Sequence, residues 1–280
     1  MKLLFSATWT IWIPLVLLIT AARPALAEES PTCLVRNAAD SDFPNSLVVN
    51  LNADSEGVVA AWYDGATRRY RHGVLGDDIE AGELHIIAND GAEQCGQSLV
   101  LDENEVFEDL APRLADMDGD GELDVIAVVS DSKLGAKLAV FGRLGDGHNT
   151  LALKSATPNI GQSNRWLAPI GMGDFNDDGL MDVAFVDRPH LAKVLRVFSY
   201  HPETGLQETA FASGFTNHRV GEDFISSGVR VCGGQSQLIT ANSTWENILA
   251  TQLVGTELVT EVVGEFDGVE SIQKLLECGS

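Results

Sequence analysis

Positive charge is scarce in this sequence. It carries 18 Lys and Arg against 41 Asp and Glu, for a formal net charge of −23 at pH 7. A chain this acidic repels nucleic-acid phosphates and anionic lipid and attracts cations, so nucleic acid is not an expected partner. Cysteine is also sparse. Cys33, Cys95, Cys232 and Cys278 are widely spaced, with no Cys-x-x-Cys, which argues against zinc or thioredoxin-like chemistry. The six histidines (His72, His85, His148, His190, His201 and His218) form no His-Glu-x-x-His. There is no Gly-x-Ser-x-Gly elbow and no Gly-x-x-x-x-Gly-Lys-Ser/Thr loop. The chain is therefore not expected to be an enzyme. Sustained helical periodicity is nearly missing too; Val269–Leu276 reads as a short helix or a last strand.

What is present begins with an export signal. Lys2 precedes an apolar run from Leu3 to Ala22, and Ala25-Leu26-Ala27 offers a small-residue cleavage site before Glu28-Glu29. Residues 1–27 are read as a secretory signal peptide, and 28–280 as a single domain. A retained anchor is the competing reading, which Pro14 and the cleavage site disfavour. No later apolar stretch is long enough to span a bilayer. The chain is expected to be secreted or periplasmic, in a bacterial envelope, and monomeric. In an exported chain an even number of cysteines suggests two disulfides. Of three possible connectivities, Cys33–Cys278 is preferred, because it ties together the two ends of a closed ring.

Internal similarity is the most informative signal. Residues 112–129, from Pro112, and 169–186, from Pro169, align over their whole length, with their first loop aspartates, Asp116 and Asp174, 58 residues apart. The likeness continues to Asp131 with Lys137, and to Asp187 with Lys193. Weaker copies start at Asp77 and Glu222. Short apolar strands separated by Gly and Asp predict an all-β fold: a β-propeller of about five blades, with calcium loops between strands. The strand around Ser46–Asn52, or Val58–Tyr63, would complete the first blade. A β-sandwich with inserted metal loops is the alternative.

Each of the two aligned repeats contains an acidic loop, whereas the copies at Asp77 and Glu222 have lost most of the ligands and are assigned no metal. Asp116-x-Asp118-x-Asp120-Gly121-Glu122-x-Asp124 places carboxylates at positions 1, 3, 5 and 9, and Asp174-x-Asn176-x-Asp178-Gly179-Leu180-x-Asp182 repeats the order with one Asn. Calcium takes six to eight oxygens, which alternate side chains and a position-7 carbonyl (Glu122, Leu180) can supply around one ion. Glycine at position 6 allows the sharp turn. Position 12 is Ala127 or Phe185 rather than Glu, and apolar strands follow, so neither loop is an EF-hand. Two Ca2+ sites are expected.

The loops, the following strand and the spacing resemble the FG-GAP/VCBS repeats of integrin-α-type propellers and of many exported bacterial proteins. The resemblance runs over roughly 70–245 and is sharpest at 108–200. It implies a propeller with calcium in inter-strand loops. Phe141-Gly142 and Leu134-Gly135-Ala136 preserve only part of the family's Phe-Gly and Gly-Ala-Pro signatures. Calcium should be mainly structural, in a module for protein or glycan binding or adhesion. The alternative is an envelope hydrolase or lyase with its site in the propeller channel. That reading would need Asp187, His190, His218 and Arg219 to converge. The clusters containing them, 187–190 and 216–219, are otherwise read as strand caps. Trp166 and Trp245 are expected in the core, and Asn242-Ser243-Thr244 fits a glycosylation sequon.

Overall fold

The computed structural model describes residues 37–277 apart from Pro44, Ala53, 91–92 and 146–149. The expected signal peptide, His148 and the preferred Cys33–Cys278 pair therefore lie outside the described residues. Among those described, no cysteine is free.

The fold is all-β and propeller-like, built from antiparallel meanders. The first contains β1 (Val48–Val49), β2 (Gly57–Thr67), β3 (Glu80–Asp90) and β4 (Glu93–Val100), each paired with the next. In the second, β5 (Glu105–Phe107) and β6 (Arg113–Ala115) both pair with β7 (Asp124–Asp131), followed by β8 (Gly135–Leu144) and β9 (Thr150–Ala156). The third is β10 (Leu167–Gly173), β11 (Asp182–Asp187), β12 (Val194–His201) and β13 (Gly205–Ser213). In the fourth, β14 (Phe215–Thr216) and β15 (Gly228–Cys232) share β16 (Gln235–Asn242), and β17 (Asn247–Val254) and β18 (Glu257–Glu265) follow. A single pairing, Ala81 with Phe107, joins the first two meanders into one sheet.

Both strands proposed to complete the first blade belong to its meander: β1 lies within Ser46–Asn52, and Val58–Tyr63 lies within β2. Four meanders are thus seen among the described residues. The closing segment is a helix, α1 (Val269–Leu276), whose Ile272 packs with Ile239, Ile248 and Ala250 of the fourth meander.

Apolar runs in the second strands explain the core. Val125, Ile126, Ala127, Val128 and Val129 are all buried. Successive strand residues point to opposite faces, so both faces of β7 must be covered. Ile126 and Val128 face a cluster with Trp166, Val183 and Phe185 of the third meander, whereas Val125 and Ala127 face Tyr63, Leu84 and Phe107. Each large aliphatic side chain removed from water this way contributes about 1.5–3 kcal/mol. The first and fourth meanders also meet: Gly221 N–H donates to Val74 O (3.0 Å). No helix among the described residues is long and apolar enough to cross a membrane.

Candidate functional site

The two acidic loops occupy the same place in their meanders. Loop 116–124 joins β6 to β7, and loop 174–182 joins β10 to β11. Their internal hydrogen bonds also match. The position-6 glycine donates to the position-1 carboxylate, Gly121 to Asp116 (3.0 Å) and Gly179 to Asp174 (2.9 Å). The position-7 amide donates to position 5, Glu122 to Asp120 (2.8 Å) and Leu180 to Asp178 (2.9 Å). The position-2 amide donates to position 9, Met117 to Asp124 (3.1 Å) and Phe175 to Asp182 (2.9 Å). Gly121 and Gly179 have φ of 91° and 86°, the left-handed region where a Cβ is costly. The ninth-position acids anchor each loop to the core and are almost completely buried.

Burial pushes the Asp124 carboxyl up to about 6, against the opposing pull of Lys154, and likewise raises Asp182, whose bond from Ser199 opposes the rise.

The interiors of the two loops differ. Around the first, Asp116, Asp118 and Asp120 each offer an oxygen within 4.8 Å of the others, a spread that suits one cation. A cation is already there. Lys154 Nζ, from β9, pairs with Asp118, lies 2.9 Å from Asp124 Oδ1 and 3.7 Å from Asp120 Oδ2. Burial would lower the pKa of this ammonium, yet its bonds to Asp118 and Asp124 hold it above the ordinary lysine value. As arranged, the first loop does not fit a metal ion. The second loop contains no such lysine, and Asp174, Asn176, Asp178 and Asp182 carry side-chain oxygens of the kind a hard cation prefers, although among the described residues only the acids of the first loop stand within 4.8 Å of one another. Its Asn176 Nδ2 donates to Asp178 Oδ2 (3.0 Å) and to Gly255 O (3.1 Å).

The weaker copies stand out of phase with these loops. Asp77 lies between β2 and β3, and Glu222 between β14 and β15, neither at the acidic loops' place in the meander. That place in the first meander is the β1–β2 connection, where Asn50, Asn52 and Asp54 alternate. Asn50 Oδ1 accepts from Asn52 N (2.9 Å). This alternation is the sequence signal of a degenerate loop, one strand out of phase with Asp77. In the fourth meander the same connection has shrunk to Gly233-Gly234, with φ of 63° and 82°, between the paired Cys232 and Gln235. This is the two-residue hairpin turn that positive φ permits.

A second polar cluster lies where loops of all four meanders meet. His190 Nε2 and His218 Nδ1 are 3.0 Å apart, and His218 Nε2 is 2.9 Å from Glu222 O. His72 Nδ1 is 2.5 Å from Glu108 Oε1, and Trp166 Nε1 donates to Glu108 O (2.8 Å). A cavity of about 250 Å3 is lined by His72, Arg165, Trp166, Arg188 and His190. Burial, with help from His218, pushes His190 down to about 4. Burial also pushes Glu80 up to about 9, with Glu108, Asp77 and Asp109 adding to the rise.

The other two residues whose convergence the enzyme reading would need hold other partners. Asp187 holds Arg188 Nε (2.7 Å) and Arg196 Nε (3.0 Å). The Arg219 guanidinium lies over Trp245, 4.3 Å from the ring centroid, and also over Phe266. Trp166 is buried as expected. Trp245 is only half-buried, which corrects the core assignment: its left-handed turn (φ 61°) places the ring under Arg219 instead. Asn242 of the sequon uses its Oδ1 to accept from Glu246 N (2.9 Å).

Matching loops at matching strand positions are the mark of a repeat, and comparison with known families agrees. Residues 112–185 match the FG-GAP-like repeat family. The FG-GAP-like segment contains both acidic loops. No curated protein matches the chain.

Proposed function

We propose that this chain is an exported, calcium-stabilised propeller-like module that binds a protein or glycan partner. The observation that carries the reading is the acidic loop 174–182 within an FG-GAP-like segment, since repeats of this type occur in adhesion and ligand-binding propellers. Its side-chain oxygens would hold the ion, with Leu180 O as a further donor, and calcium would supply positive charge where Asp174, Asp178 and Asp182 otherwise repel one another. The Ala25-Leu26-Ala27 site supports secretion or a periplasmic location, with the module acting as a monomer. The buried apolar runs and anchored loops make a rigid frame on which connecting loops can present a recognition surface.

The hydrolase or lyase alternative rests on the His190–His218 and His72–Glu108 pairs beside the 250 Å3 cavity. The Asp187 carboxylate pairs with Arg188 and Arg196 and the Arg219 guanidinium lies over Trp245, so neither side chain joins the histidine pairs, and binding is the preferred reading. The test immobilises residues 28–280 and screens glycans and envelope proteins with calcium and with chelator. We expect a saturable partner whose retention falls on chelation. Turnover of a polysaccharide or phosphoester that is lost in His190→Ala, with no retained partner, would favour the enzyme instead.

A further inference from the structure

The two acidic loops share an order of ligands but differ at two residues behind them. In the third meander Asp182 pairs across the strands with Ser199, and Ser199 Oγ donates to Asp182 Oδ1 (2.5 Å). In the second meander the register Val125↔Phe141 places Gly142 opposite Asp124. The outer strands carry a bulge at the same place. Val197 pairs with Ala210 and Phe198 with Glu208, leaving Thr209 unmatched; Val140 pairs with Ser155 and Phe141 with Leu153, leaving Lys154 unmatched. Thr209 and Lys154 are thus structural equivalents. Thr209 Oγ1 meets Ser199 Oγ (2.5 Å), whereas Lys154 runs past Gly142 into the first loop. A Cβ on Gly142 would collide with Lys154 Cδ and Asp124 Oδ1, so the absent side chain makes the room the lysine stem needs.

From this pairing we infer that Lys154 is the resident cation of loop 116–124, and that calcium is confined to loop 174–182. This rests on the calcium reading above. The charges agree with it. The first loop has Asp118 where the second has Asn176, and the Lys154 ammonium offsets that extra carboxylate. Its side chain is only 9% exposed, so it needs anionic partners, and it has them in Asp118 and Asp124. A calcium ion entering the same space would meet a like charge within a few ångströms and would have to expel a buried ammonium from its partners. The second loop presents no such competitor.

The experiment is calcium titration calorimetry on the wild-type chain, Asp178→Ala, Lys154→Thr and Gly142→Ser/Lys154→Thr. The inference predicts one calcium bound by wild type, none by Asp178→Ala, and two by each Lys154→Thr variant, a gain of at least tenfold in affinity at the first loop. Two calcium ions bound by wild type, one of them lost in Asp120→Ala, would overturn the inference and leave the calcium reading standing. No binding by any of the four proteins would sink the calcium reading. The lysine's own role is then judged by melting in chelator. Lys154→Met should lower Tm, and adding Asp118→Asn should recover part of the loss. A Tm unmoved by Lys154→Met would overturn it as well.

Discussion

Glu80 begins β3 almost completely buried, close enough to Glu108 and Asp109 for their charges to act on it. Its carboxyl, pushed up to about 9 from 4.5, keeps its proton in the folded chain while the unfolded chain releases it. The folded state therefore binds more protons between those values, and stability falls as pH rises from about 4.5 to about 9. Glu80→Gln removes this dependence. The variant should melt a few degrees above wild type at pH 8–9 and close to it at pH 5, as read by a Tm series across pH. His190 has the opposite sign. Its ring, pushed down to about 4 from 6.5, stays neutral when folded, so its contribution is lost as pH falls through that window. An NMR titration of the ring should show no charging above pH 5; charging near 6.5 would contradict the burial described above. The loop acids were legible in the sequence because alternating carboxylates in a short loop are a local pattern. Lys154 was not, because its approach depends on a bulge in β9 and on the missing side chain of Gly142 in the neighbouring strand β8.

Each acidic loop is hung from its second strand by its ninth residue. Asp182 accepts from Phe175 N–H and Ser199 Oγ–H while almost completely buried. Asp182→Ala strands the buried Phe175 N–H and leaves Ser199 Oγ with Thr209 alone, and should cost about 1–3 kcal/mol even in chelator, measured by urea unfolding. Asp178 is exposed to solvent at the turn. Asp178→Ala should cost well under that in chelator and should remove the stabilisation that calcium adds. The same contrast shows how far repeat reading reaches. The alternation of apolar and polar runs located β7, β8, β11 and β12, because those strands repeat as local sequence. Asp77 and Glu222 mark the first and fourth units out of phase, because the equivalents of the acidic loop there are Asn50-x-Asn52-x-Asp54 and Gly233-Gly234, which keep the position in the meander but little of the sequence.

For the whole molecule, the acidic excess, the four meanders and the FG-GAP-like segment point the same way: a chain short of positive charge, with a loop that gathers negative charge where the fold requires it. A ligand that binds only the folded state adds about 2.7 kcal/mol at one hundred times its dissociation constant. For a domain of this size, each kcal/mol moves Tm by about 2–4 °C. Thermal unfolding of residues 28–280 at neutral pH, with saturating calcium and with chelator, is the most direct test. The account predicts a calcium-dependent rise of about 5–10 °C, carried by loop 174–182 and abolished in Asp178→Ala. Superimposable melting curves in calcium and chelator would contradict it.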